Sequence, residues 1–192
     1  MTRRAFATIA TLVVAVLVAA VVASMLHTAA NNLALPLSDA GIIREQAAEK
    51  RLDPALIAAV IYAETKFDPR RSSAGAEGLM QILPATAYYL AHLSGGITFT
   101  ASDLAEPSVN VAYGSYYLRY LLNHYRGNEM LAVAAYNGGL TNVDKWVAQA
   151  EAEGHQLSSQ EIPFPQTREY VQRVLDAERA YRETYPRQLG LE

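Results

Sequence analysis

Apolar residues recur every three to four positions over most of this chain, and sustained period-two alternation is missing. That pattern predicts helices. A first helix is expected from about Asp39 to Arg51, with Ser38 or Asp39 as its cap. Asp53-Pro54 opens a second, since Asp suits the N-cap and Pro the first helical position. Pro69 to Gly78 is rich in Ser, Gly and Ala and has no period, so it reads as loop. Leu79 to Ala91 is mostly apolar and is expected to be helical after Pro84, until Gly95-Gly96 breaks it. A turn at Asp103 to Pro107 leads to a long helix, Val109 to Tyr125, with Val111, Tyr113, Tyr117, Leu118, Leu121 and Leu122 on its apolar face. After Gly127-Asn128, a helix Glu129 to Tyr136 ends at Asn137-Gly138-Gly139, residues that tolerate positive φ. Helices Thr141 to Ala152 and Thr167 to Tyr185 follow, with loop from Gly154 to Pro165 between them. Ile97-Thr98-Phe99-Thr100 is the one short strand candidate. The expected fold class is mostly α, with a single domain over Ser38–Glu192.

The N-terminus breaks this amphipathic pattern. Arg3 and Arg4 precede an uncharged run from Ala5 to Leu26, about 22 residues, long enough to cross a bilayer as a helix. It exceeds the usual core of a cleaved signal, and Thr28-Ala29-Ala30 is the nearest approach to a cleavage site. Thr2-Arg3-Arg4-Ala5-Phe6 also has a faint twin-arginine look. The arginines favour a cytoplasmic N-terminus at residues 1–4. The expected layout is therefore a transmembrane signal anchor at 5–26, a linker at 27–37, and an extracytoplasmic domain at 38–192. A cleaved signal would leave the domain on the same side of the membrane.

One residue stands out in the second helix. Ile57, Val60, Ile61 and Glu64 recur at helical spacing and share a face that must pack inward. A carboxyl carried toward the core resists ionisation, so its pKa rises and it can donate a proton near neutral pH. The plainer alternative is a helix-end Glu that bends back to solvent, or pairs with Lys66, Arg70 or Arg71.

Composition narrows the chemistry. The net charge is −3 and no basic run occurs, so no field draws nucleic acid. With no cysteine, disulfides, thiolate zinc sites and a Cys nucleophile are excluded. His27, His92, His124 and His155 are scattered without ligand spacing, so no metal and no other cofactor is expected. Protein partners stay unknown from the sequence.

Four short stretches then carry a resemblance. They are Glu64-Thr65-Lys66-Phe67-Asp68-Pro69 with Ser72 to Pro84; Pro107 to Gly114 with Tyr117-Leu118; Ala134 to Gly139; and Pro165-Gln166-Thr167-Arg168-Glu169-Tyr170-Val171. In that order they resemble the motifs of soluble-lytic-transglycosylase-type domains, over about Ile42 to Tyr185. The resemblance implies a lysozyme-like α fold acting on peptidoglycan glycan strands at the β-1,4 bond between N-acetylmuramic acid and N-acetylglucosamine. It assigns Glu64 as the single catalytic acid and base. It assigns substrate binding to Gly78, Met80, Gln81, Tyr136, Asn137 and Tyr170, and to Ser72 or its neighbour Ser73. Thr65 stands where the family commonly has Ser, and Gln166 where it commonly has Glu.

Glycosidases ordinarily use two carboxylates. Asp68, Glu77, Asp103 and Glu106 all fall in polar loop contexts and do not supply a second. The resemblance implies a route without one: Glu64 protonates the leaving oxygen, then takes the proton of the sugar's own C6 hydroxyl, which closes a 1,6-anhydro ring. Alternatives are a muramidase hydrolysing the same bond, and a non-catalytic glycan-binding module.

Overall fold

The computed structural model describes residues 16–23, 35–94 and 99–192. The chain divides into two compact units, Met1–Leu35 and Pro36–Glu192. In the first, residues 16–23 form a helix, α1, with solvent-exposed side chains. Among the described residues no helix is long and apolar enough to cross a membrane. Most of the predicted span, Ala5 to Leu26, lies outside the described residues, as do Ile97 and Thr98 of the strand candidate.

The second unit begins two residues before the expected Ser38. The buried Tyr181 hydroxyl donates to the Pro36 carbonyl at 2.5 Å and ties that residue in. Its helices are α2 (Ala40–Lys50), α3 (Pro54–Thr65), α4 (Pro84–Ser94), α5 (Pro107–His124), α6 (Glu129–Gly138), α7 (Leu140–Ala152), α8 (Pro165–Thr184) and α9 (Pro186–Leu189). Short 3-10 turns occupy Ala101–Ala105, overlapping the turn expected at Asp103 to Pro107, and Ser159–Glu161, within the loop expected from Gly154 to Pro165. Among the described residues there is no strand, only an isolated bridge between Glu77 and Ile82.

The caps follow the sequence in part. Asp53 Oδ1 accepts the Ala55 N–H at 2.7 Å, and Asn128 Oδ1 accepts that of Leu131 at 3.1 Å. At α2 the expected side-chain cap does not form. Asp39 takes a left-handed φ of 54°, and its carboxylate instead accepts the Ser38 hydroxyl at 2.8 Å.

Helix α3 is the centre of the domain. Every residue from Ala55 to Ile61 is at most 1% exposed, so the helix is buried all round rather than on one stripe. Each large apolar side chain among them contributes about 1.5–3 kcal/mol by leaving water. Its most extensive neighbour is α8, and α6 packs on α8 in turn. Polar contacts fix the directions. Arg182, late in α8, reaches Asp53 at the start of α3, and Tyr170, early in α8, reaches Glu64 near its end. The two helices are therefore antiparallel. Alanines Ala58, Ala59, Ala132, Ala134 and Ala135, all fully buried, keep the helix contacts close.

Candidate active site

Glu64 sits where α3 leaves the core. The helix stops one residue later, and Lys66 and Phe67 both take left-handed φ values, 54° and 64°. For side-chain-bearing residues that costs roughly 1–2 kcal/mol each. Phe67 recovers part of it by packing on Tyr181, with ring centroids 6.0 Å apart. The half-buried Glu64 carboxyl accepts a hydrogen bond from the Tyr170 hydroxyl at 2.7 Å. Burial pushes its pKa up to about 7, against the opposing pull of the Tyr170 hydroxyl and the Arg173 guanidinium. None of these influences is a second carboxylate. The plainer ion pairs do not form: Arg71 binds Glu77 at 3.1 Å, and Arg70 faces Asp68 at 3.7 Å while touching only the Glu64 backbone carbonyl.

Beneath the acid, Thr65 is buried, with its hydroxyl 3.1 Å from the Ile61 carbonyl and 2.8 Å from that of Leu79. The second contact joins the end of α3 to the Gly78–Gln81 turn. A Ser would offer the same hydroxyl, so the departure at this position keeps the bond.

That turn is held by a residue sequence reasoning passed over. Asn110, fully buried in α5, accepts the Met80 N–H at 2.7 Å. Its amide donates to the carbonyls of Glu77 at 2.8 Å and Leu104 at 3.0 Å. Gly78 has a φ of 72°, and a Cβ there would lie 2.7 Å from the Leu104 carbonyl and strike the Asn110 amide. Only glycine fits. A polar residue inside a helix that begins at a Pro gave no sequence signal; its placement beside the loop could have been found only from the motif order.

The expected contact residues make different bonds. Tyr170 touches Glu64 directly. Tyr136 is close enough for the Glu64 carboxylate to raise its pKa, though burial is the larger cause; its hydroxyl donates to the Met80 carbonyl at 2.9 Å. Asn137 accepts the Thr167 hydroxyl at 2.9 Å, which leaves its amide N–H groups for a ligand. It lines a cleft of about 320 Å³ together with Gly138, Phe164, Pro165, Gln166 and Thr167. Gln81, with φ 49°, spends its amide hydrogens on the carbonyls of Arg70 at 2.7 Å and Gly78 at 2.9 Å, so it ties the loop and keeps an acceptor oxygen. Ser72 closes the loop by accepting the Ala76 N–H at 3.0 Å, whereas Ser73 is exposed.

Two of the expected contact residues are buried. Met80 is fully buried, its side chain pressed on Gly114, where a Cβ would come within 2.8 Å of the Met80 Cβ. It holds the floor of the site through its backbone and does not present its sulfur to the groove. Gly78 is likewise buried and supports the turn from below. Asp68, Glu77, Asp103 and Glu106 are engaged away from Glu64: Asp103 accepts the Thr100 N–H at 2.8 Å, and Glu106 precedes α5 as its N-cap residue. Among the described residues no His, Cys, Asp and Glu group is arranged to hold a metal ion.

A somewhat larger cavity, about 390 Å³, lies elsewhere, lined by His124, Tyr125 and Asp144 among others. Volume alone therefore does not single out a site.

Comparison with known proteins bears on the fold and the family. The family model for the transglycosylase SLT domain matches residues 41–158. The soluble lytic murein transglycosylase of Escherichia coli K12 is 29% identical over 150 residues, covering 77% of this chain and 23% of that protein. The membrane-bound lytic murein transglycosylase C of Salmonella paratyphi B is 29% identical over 164 residues, covering 74% of this chain and 46% of that one. An inactive mutant of the lytic transglycosylase Slt from Pseudomonas aeruginosa superposes with a TM-score of 0.71 at 31% identity, covering 78% of this chain and 24% of the other. This chain thus spans about a quarter of the soluble relatives. The helical fold is that of a lysozyme-like α domain, and the chain belongs to the transglycosylase SLT domain family.

Proposed function

We propose that this domain is a peptidoglycan lytic transglycosylase that cleaves the β-1,4 bond between N-acetylmuramic acid and N-acetylglucosamine without water. The observation that carries the proposal is Glu64: one half-buried carboxyl with a pKa pushed up to about 7, held by Tyr170, with no carboxylate partner. A residue that is protonated and ionised in comparable amounts near neutral pH suits two proton transfers in opposite directions. Glu64 gives its proton to the departing O4 of N-acetylglucosamine as the bond to C1 of the muramic sugar breaks. The C6 hydroxyl of that same sugar then attacks C1 and returns its proton to Glu64. The net result is a 1,6-anhydro end, a free 4-hydroxyl, and an unchanged enzyme. The nucleophile is already attached to the substrate, so no second reactant has to be brought in. Tyr170 positions the carboxyl, and the Asn137 amide suits an acetamido group.

The chain is further proposed to be held at the outer face of the cell membrane by Ala5–Leu26, which the charge pattern of Arg3 and Arg4 supports. A relative whose name describes it as membrane-bound is consistent with this. Incubating the protein with purified sacculi and weighing the products tests the chemistry. Anhydro-muramic ends that vanish in Glu64→Gln are expected. Reducing ends would replace the proposal with hydrolysis, and binding without product would replace it with a glycan-binding module. Recovery of the full-length protein from the soluble rather than the membrane fraction would remove the anchor.

A further inference from the structure

A hollow of about 390 Å³ opens where the end of α5, the start of α6 and one side of α7 meet. Its floor is apolar: Leu131 of α6, Val147 of α7 and Leu157 beyond it, each half-buried. Its rim is charged, and the charges are sorted by element. Asp144 and Glu151, two helical turns apart on α7, supply carboxylates. Arg126, in the turn between α5 and α6, supplies a guanidinium.

Most of this charge is uncommitted. Among the described residues neither Arg126 nor Glu151 has an ion pair or a side-chain hydrogen bond, and both are exposed. Asp144 is only partly used. Its Oδ1 lies 2.9 Å from His124 Nε2 and accepts the Tyr125 hydroxyl at 3.0 Å, while Oδ2 keeps no partner among the described residues. Burial, and then that carboxylate, push the Tyr125 pKa far up, so the phenol stays a donor and Asp144 the acceptor. A clamp between α5 and α7 needs only these contacts. It gives no reason for an uncovered apolar floor beside it, or for opposite charges left unpaired around that floor.

Ligand sites have this form, an apolar hollow with a few polar groups that fix orientation. Two carboxylates with an open acceptor oxygen suit an ammonium, and a lone guanidinium suits a carboxylate. No His, Cys, Asp and Glu group among the described residues is arranged for a metal ion, which leaves the organic cation. We propose that this hollow binds a short peptide, its ammonium between Asp144 and Glu151 and its carboxylate at Arg126. The source of that peptide rests on the glycan-cleaving function proposed above: it hangs from a muramic sugar of the strand being cut. Asn128, which lines the hollow, and Tyr136, which borders the acid, stand eight residues apart along α6, about 12 Å. A peptide of four residues spans about 13 Å when extended. Strands that carry such peptides therefore gain a second hold, and naked strands do not.

Titrating the full-length protein with N-acetyl-Ala-Ala-Lys-Ala reads the site without any cleavage. Its blocked N-terminus imitates attachment to the sugar, and it carries one ammonium and one carboxylate. Acetylating its lysine, or amidating its C-terminus, should each weaken binding roughly fivefold, the size of an exposed ion pair. Arg126→Gln and Glu151→Gln should do the same; both side chains are exposed and unpaired, so the fold is kept. Arg179→Gln, which removes an equal charge from α8 outside the hollow, should bind as the parent does. Equal binding of the three peptides, no binding at roughly 10 mM, or variants indistinguishable from Arg179→Gln overturns the site. In cleavage, the parent should show a lower KM for peptide-bearing strands than for strands stripped by an amidase, and Arg126→Gln should bring the two values together. Equal KM values in the parent overturn the second hold on the strand. A parent that binds the peptide but cleaves neither substrate defeats the cleavage reading and keeps the peptide site.

Discussion

Glu64 and Glu129 stand at opposite ends of the same three helices, α3, α6 and α8, and burial pushes both carboxyls up to about 7. Their surroundings differ. Around Glu64 the polar partner is a neutral hydroxyl. Glu129, in the first turn of α6, faces Glu178 and Asp53; the Glu178 carboxyl holds it protonated after burial, and both repel its charge. Arg182 binds Asp53 and also Glu178 at 2.9 Å, so one cation serves three acids. Both Asp53 and the buried Glu178 gain a counter-charge there. The first arrangement leaves a proton free to move to a ligand, and the second ties three helix ends together. A raised carboxyl pKa is therefore not a mark of catalysis. What separates the two is whether the acid's neighbours are neutral or are themselves acids.

The sharpest way to break this contrast is to neutralise each acid in turn. Glu64→Gln is expected to lower release of anhydro products by roughly 10²–10⁴-fold, whereas Glu129→Gln stays within a few-fold of the parent. Comparable losses from both would mean that the far cluster governs the reaction. Arg182→Leu comes next. It strands Asp53, Glu178 and Glu129 together, and should cost about 1–2 kcal/mol in urea unfolding, less than a fully buried pair because Arg182 is half exposed. Activity per folded molecule should hold.

Tyr170→Phe probes the other end. It removes a hydrogen bond that favours the ionised carboxyl, so the Glu64 pKa rises further. The alkaline limb of kcat/KM, expected near pH 7 in the parent, should move up by about one unit, with a rate loss of about tenfold. A limb that moves down would contradict the arrangement. The smallest effect is on stability against pH. A carboxyl with a raised folded pKa binds its proton more tightly when folded. The parent therefore loses stability, relative to a glutamine, as pH climbs from 4.5 through about 7. Glu64→Gln and Glu129→Gln should each melt higher than the parent at pH 8 by about 1 kcal/mol in equivalent stability, and near parity at pH 4.

Much of the scaffold was legible in the sequence because its signals are local. Asp53-Pro54 marked the start of α3, and the period of Ile57, Val60, Ile61 and Glu64 aimed the acid correctly. The helix was nonetheless buried all round, which a one-face argument understates. Helix α9 was missed, since four residues, Pro186–Leu189, carry no period. Tyr136, Asn137 and Tyr170 entered through family resemblance; nothing in their own spacing marked them out. Met80 entered as a groove residue through the resemblance alone, and it is buried against Gly114. Asn110 and the Glu129–Arg182 cluster were illegible for a common reason. Their partners lie tens of residues away, and only the folded chain brings them together.

Asn110 has a practical consequence. The Gly78–Gln81 turn owes its shape to one amide side chain of α5. Transplanting the Glu64 helix and its loop onto another scaffold would leave that turn without its mould. The smallest portable unit of this site includes α5, so its evolution by exchange of parts must move helix and loop as one piece.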